Sequence, residues 1–184
     1  MAAKRLAGKS VLMVIAPEQF RDEELLEPRK IFLGEGAAVV VASSRAGQAK
    51  GMLGATFQPD MLLSDVDPAD YDAVVVVGGM GSPAHLWGNA ELHSVLTGMN
   101  ADEKVISAIC LSGAALAKAG VLGGHEATVW PAPEAIAALE AGGARYRKEH
   151  VVADGRFITA DGPEAAGSFG EAIVVELAKN LSKV

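Results

Sequence analysis

Ser10-Val-Leu-Met-Val-Ile-Ala16 is an unbroken apolar run closed by Pro17, and the same texture returns over residues 37–43 and 73–77. Short runs rich in Val and Ile, without polar alternation, predict strands buried on both faces, as in a parallel sheet. Between the first two runs, Leu25, Pro28 and Phe32 recur at helical spacing, and Gly34 and Gly36 supply the stop signal. The unit reads as βαβ. Residues 51–68 mix Gly, Pro and polar positions with weak alternation, which predicts a small hairpin or an irregular excursion.

The alternation then resumes. A helix is predicted over 91–99, a strand over 104–109, and an Ala-rich helix over 113–119 ended by Gly120. A short strand at 127–130 and a helix at 133–139 with Pro at its start follow. Residues 151–159 centre on Asp154-Gly155, a hairpin signal that predicts a small antiparallel edge. Phe169, Ala172, Ile173, Leu177 and Leu181 share one face of a last helix. The expected class is α/β, with a mostly parallel central sheet and helices on both faces. No linker interrupts the 184 residues, so a single domain over 1–184 is expected.

Composition narrows the partners. With 16 basic residues scattered among 23 acidic ones and a formal charge of −7, there is no clustered basic surface for phosphates, and no nucleic-acid partner is expected. No apolar run approaches a bilayer-spanning length, and Met1-Ala-Ala-Lys-Arg5 is not followed by a signal-type apolar region. No membrane association and a cytoplasmic location are therefore expected. The single cysteine excludes an intramolecular disulfide and a multi-cysteine zinc site, and no metal or cofactor is anticipated.

In an open parallel sheet, ligands bind beyond the carboxyl ends of the strands. Residues 17–24, Gly78-Gly79 and Cys110 occupy such ends. Cys110 follows a strand and precedes a helix, with the small residues Ala108, Ser112 and Gly113 around it, so a tight turn can hold its side chain up like the nucleophile of an elbow. The helix N-terminus would favour the thiolate, with the pKa of such cysteines falling to roughly 3.5–7.5. The alternative is a small buried hydrophobe.

Gly78-Gly79 lets backbone approach a bound group and, with the Leu111 N–H, could form an oxyanion hole; otherwise it is an ordinary turn. Its spacing is not a dinucleotide fingerprint. In Asp22-Glu23-Glu24, at least two carboxylates read as a solvated helix start. One turned inward would have its pKa raised and could donate a hydrogen bond to Cys110.

These residues together resemble the ThiJ/PfpI superfamily, which has the class I glutamine amidotransferase-like fold. The resemblance rests on Ala108-Ile-Cys110, Val77-Gly-Gly79, Glu24-Leu-Leu-Glu-Pro28, and Ile158-Thr-Ala-Asp-Gly-Pro163 leading to Phe169-Gly-Glu-Ala-Ile173. It implies a flavodoxin-like three-layer sandwich, a homodimer or higher homo-oligomer, an elbow nucleophile at Cys110, an inward glutamate at Glu24, and backbone donors at Gly79 and Leu111. The family's protease members carry a histidine directly after the cysteine, where this chain has Leu111, and other branches place one before a proline, where this chain has Trp130. Of the remaining histidines, His93, His125 and His150 read as surface residues. His85, after the glycine loop, is the candidate to face the pocket with Gly78 and Trp130.

The expected function is processing of small electrophiles, such as glyoxal-type aldehydes or related deglycation substrates, by Cys110 with Glu24 as proton relay. A redox-responsive or stress-protective protein with an oxidisable Cys110 is the alternative. A fold that has lost its chemistry is a third reading. Proteolysis ranks below these, because an amide leaving group needs an acid that no histidine supplies.

Overall fold

The computed structural model describes residues 2–179. Its strands are β1 (Ser10–Ile15), β2 (Glu18–Phe20), β3 (Ala38–Ser43), β4 (Ala49–Gly51), β5 (Thr56–Phe57), β6 (Met61–Leu62), β7 (Ala73–Val76), β8 (Val105–Ile109), β9 (Glu126–Ala127), β10 (Arg145–Tyr146), β11 (Val151–Asp154) and β12 (Phe157–Ala160). Its helices are α1 (Asp22–Gly34), α2 (Ser82–His85), α3 (Ala90–Ala101), α4 (Gly113–Lys118), α5 (Pro133–Ala141) and α6 (Ala166–Lys179). Among these residues no helix is long and apolar enough to cross a membrane.

Seven strands form the main sheet in the order β11-β12-β8-β7-β1-β3-β6. Every pairing in it is parallel except β11 with β12. The unbroken apolar runs are explained by burial on both sides. In β1, Leu12 and Val14 join one core cluster and Val11, Met13 and Ile15 the other. Helices α3, α4 and α5 cover the first face, α1 and α6 the second. The helices on the second face meet closely at Gly170, where an added Cβ would lie 3.2 Å from Pro28 Cα and 3.0 Å from Ile31 Cδ1.

From β1 the chain runs outward through β3 and β6, then returns to the other side of β1 to lay down β7, β8 and β12. The crevice of a doubly wound sheet opens where that direction reverses, beyond the carboxyl ends of β1 and β7. The residues after β1, β7 and β8 are therefore brought together.

Some local expectations need correction. The excursion after β3 contains the β4–β5 hairpin, but it also supplies β6 to the main sheet edge. Residues 18–20, within the strand-end segment 17–24, form β2 and pair with β4. The strand expected at 127–130 stops at Ala127, because Thr128 N–H is taken by Thr159 Oγ1 (2.9 Å) and Trp130 N–H by the Cys110 carbonyl (3.1 Å). The predicted hairpin forms with Asp154 opposite Phe157, leaving Gly155 and Arg156 as its turn. Leu181 lies outside the described residues.

Candidate active site

Cys110 leaves β8 with φ of 61°, a left-handed conformation that costs a non-glycine residue on the order of 1–2 kcal/mol. This bend projects the side chain away from the strand line, so it stands 7% exposed at the base of a small pocket. The local strain is held from several sides. Trp130 N–H donates to the Cys110 carbonyl, and Trp87 Nε1–H donates to the Leu111 carbonyl at 2.8 Å.

The acidic triplet divides its work differently from the expected solvated helix start. Glu23 alone remains near the surface, paired with Arg21 at 2.8 Å, and the guanidinium holds its carboxyl below the usual range. Asp22 is buried and accepts from the N–H groups of Leu53 and Ala55, clamping the β4–β5 hairpin onto the start of α1. Glu24 is fully buried. Pro28, four residues later, lacks the N–H that would bond the Glu24 carbonyl and crowds it, a local departure from regular helix.

Glu24 Oε2 accepts from Gly78 N–H at 2.9 Å, while Oε1 has no hydrogen-bond partner. Burial pushes its pKa up to about 8, against the lowering influence of Cys110 and Gly78 N–H. An orphaned buried oxygen is costly for a carboxylate, so the protonated form dominates near neutrality.

The expected depression of the thiol pKa is not what the site produces. Burial, then the charge of an ionised Glu24, push the Cys110 thiol above its ordinary value, while the N–H groups of Leu111 and Gly79 pull it down. The turn after β8 is one of 3-10 geometry and the helix beyond it has only six residues. Its dipole does not outweigh the loss of water. When Glu24 takes a proton, its repulsion of the thiolate vanishes.

Gly78 does not line the pocket; it lies between the Glu24 and Cys110 side chains. A Cβ there would lie 2.5 Å from Glu24 Oε2 and 2.6 Å from Cys110 Cβ. Gly79 has φ of 113°, and a Cβ on it would strike Gln19 O at 2.4 Å and Arg21 N at 2.5 Å. Only glycine satisfies either position, and their N–H groups face Glu24 and Cys110 respectively.

The pocket over Cys110 has a volume of about 120 Å³, with Arg21, Met52, Met80, Leu111, Trp130 and Pro163 among its walls. Through Arg21, Trp130 and Pro163 it adjoins an outer chamber of about 620 Å³ that also carries Glu23, Glu27, His150 and Asp161. Trp130, 45% exposed, walls both spaces, and its ring sits against Gly162, where a Cβ would lie 2.8 Å away.

His85 does not face the pocket. Its ring lies 3.1 Å from Glu18, drawn outward by that carboxylate on the adjoining β2. His93 bonds the Trp87 carbonyl and His125 lies 3.2 Å from Asp154. His150, read as a surface residue, is exposed and 3.1 Å from Asp161, yet it borders the outer chamber. Among the described residues no histidine lines the inner pocket, and no group of three or more His, Cys, Asp or Glu is placed to hold a metal ion.

Sequence reasoning missed Arg21, Met52, Met80 and Pro163 as pocket walls, and the support that Trp87 gives the elbow. Only their nearness to strand ends hinted at the first and third.

A mostly parallel doubly wound sheet with a cysteine elbow at its switch region defines the class. Residues 9–176 match the model of the DJ-1/PfpI family, and the chain belongs to that family. It is similar to an uncharacterised protein of Methanocaldococcus jannaschii, 46% identical over 96% of this chain and 86% of that protein. A protein of Thermococcus kodakarensis named as a deglycase is 30% identical over 83% of this chain and 90% of its own length. The crystal structure of a ThiJ/PfpI domain protein from Brachyspira murdochii superposes with a TM-score of 0.88 at 33% identity, covering 94% of this chain and 99% of that one.

Proposed function

We propose that the chain converts small reactive dicarbonyls of the glyoxal class, or their early adducts with amines, with Cys110 as nucleophile and Glu24 as proton relay. The observation that carries this reading is the buried Glu24 carboxyl, raised to about 8, coupled to Cys110 beneath a narrow pocket. The name of the Thermococcus relative supports the same substrate class.

A group with a pKa near working pH can both take and give a proton. As the Cys110 sulfur adds to an aldehyde carbon, its proton passes to the Glu24 carboxylate and then to the former carbonyl oxygen, giving a hemithioacetal. The N–H groups of Gly79 and Leu111 are the donors nearest the developing oxyanion. Glu24 then takes the proton of the sulfur-bearing carbon and returns it to the neighbouring carbonyl carbon, while the hydroxyl proton of the first carbon passes to the oxygen of the second. The resulting 2-hydroxy thioester is hydrolysed by water, which returns the thiol. The net change is addition of one water to the dicarbonyl, with no external oxidant.

Pocket size favours this class over peptides. The space directly over Cys110, about 120 Å³, matches a small carbonyl compound.

Wild type should consume methylglyoxal and release lactate. Cys110→Ser should abolish turnover, and Glu24→Gln should lower it by roughly 10²–10⁴-fold. Equal rates in all three proteins would refute the assignment.

A second reading draws on the same convergence of donors at the sulfur. The N–H groups that face Cys110 could stabilise a sulfinate formed by peroxide. Mild peroxide should then add two oxygens at Cys110, and an inert thiol would exclude it.

A further inference from the structure

Ser82 and Ser112 are fully buried hydroxyls. Ser112 Oγ lies 2.6 Å from the Val77 carbonyl oxygen, and Ser82 Oγ lies 2.7 Å from Ser112 Oγ. A carbonyl can only accept, so the Ser112 proton is committed to Val77. Ser82 must then donate to Ser112, and the direction of the chain is settled.

The receiving carbonyl belongs to the peptide joining Val77 to Gly78. The N–H of that same peptide donates to Glu24 Oε2 at 2.9 Å. The peptide is trans, so its C=O and N–H point in opposite directions. One continuous chain therefore runs from the Ser82 hydroxyl through Ser112 and across this peptide to the Glu24 carboxyl.

Two further observations separate this pair from ordinary packing. Ser112 occupies the N-cap position of α4, where a serine hydroxyl usually accepts from the first turn, yet it makes no capping bond. Its hydroxyl serves the glycine loop instead. Ser82 also donates its backbone N–H to the Gly79 carbonyl at 3.1 Å, closing the turn whose N–H faces Cys110.

We propose that Ser82 and Ser112 are positioning residues that orient and polarise the Val77–Gly78 peptide, and thereby set the proton affinity of Glu24 and the reactivity of Cys110. Hydrogen bonds in such chains strengthen one another, so each hydroxyl sharpens donation from Gly78 N–H to the carboxylate. Loss of the relay weakens that donation and raises the pKa of Glu24. This inference rests on the reading that Glu24 and Cys110 form the reactive pair.

The test is the pH dependence of Cys110 alkylation by iodoacetamide, which needs no knowledge of the substrate. Ser107→Ala is the control, because Ser107 is equally buried and donates to the Val74 carbonyl at 2.7 Å, within the sheet and outside the relay. Glu24→Gln identifies the limb of the profile that belongs to Glu24. Ser112→Ala should move that limb upward by about 0.5–1 pH unit, a roughly three- to tenfold change in proton affinity. Ser82→Ala should move it less in the same direction, and it carries the test if Ser112→Ala does not fold. Ser107→Ala should leave the limb in place despite a similar loss of stability. Relay variants whose limb coincides with that of Ser107→Ala would overturn the proposal while leaving the reactive pair intact. A Glu24→Gln profile identical to wild type would overturn both.

Discussion

The two faces of the main sheet are built from alternate residues of the same strands, yet they have opposite characters. Under α3, α4 and α5 the core holds Leu12, Val14, Val76, Leu92, Leu96 and Leu116, and among the described residues the phenol of Tyr71 is the one titratable group buried in that cluster. Under α1 and α6 the core holds Met13, Ile15, Phe32 and Phe169, but it also receives Cys110, and α1 buries Glu24 beside it. Strand patterning cannot cause this difference, since β1, β7 and β8 supply apolar residues to both sides. It arises where the chain leaves the strands. The bend at Cys110 and the glycines after β7 let polar side chains enter one face at its carboxyl end. The first, dry face only packs, whereas the carboxyl end of the other accepts the desolvation cost of a buried carboxyl and thiol.

The comparison breaks most sharply at Gly78. Gly78→Ala should place a methyl within 2.6 Å of Cys110 Cβ and against Glu24, and separate the pair. Turnover of methylglyoxal should fall by at least about 10²-fold, since the relay contribution is lost entirely. Retention of near wild-type rates would show that the two side chains need not be coupled. On the dry face, Leu96→Ala should cost about 2–5 kcal/mol in urea unfolding while the pH profile of Cys110 alkylation stays unchanged. A shifted profile would mean that the faces are not independent.

The third effect is a slope. Folding raises the pKa of Glu24 from 4.5 to about 8, so between those values the folded protein holds a proton that the unfolded chain has released. The contribution of Glu24 therefore becomes less favourable as pH rises through this window, by up to about 1.4 kcal/mol per pH unit, and is fully present only below the unfolded value. Subtracting the stability of Glu24→Gln, measured at pH 5, 6.5 and 8, should isolate that decline. A flat difference would place the ionisation elsewhere.

The buried strands, the βα alternation and the antiparallel edge were legible because their hydrophobic patterns follow directly from burial. Cys110, Glu24, Gly79 and Leu111 were also brought to one place, on residues singled out by strand ends and by the family resemblance. What escaped was whatever depends on the path between elements. His85 turns outward because β2, itself unrecognised, presents Glu18. Asp22 is inward because the β4–β5 turn has unpaired N–H groups that need an acceptor. The thiol's raised proton affinity reflects how deeply the elbow sits, and periodicity carries no measure of depth. Ser82 and Ser112 look unremarkable as letters, since the bond between their hydroxyls and the reach of Ser112 to the Val77 carbonyl appear only once the chain is folded.

Both tryptophans of the chain touch the elbow, Trp87 through the Leu111 carbonyl and Trp130 through the Cys110 carbonyl and as a wall shared by pocket and chamber. The protein thus carries its own optical reporter. Filling the pocket would alter the solvent around the half-exposed indole of Trp130 and leave the tethered Trp87 as an internal reference, so occupancy of the space above Cys110 can be followed by emission without any label.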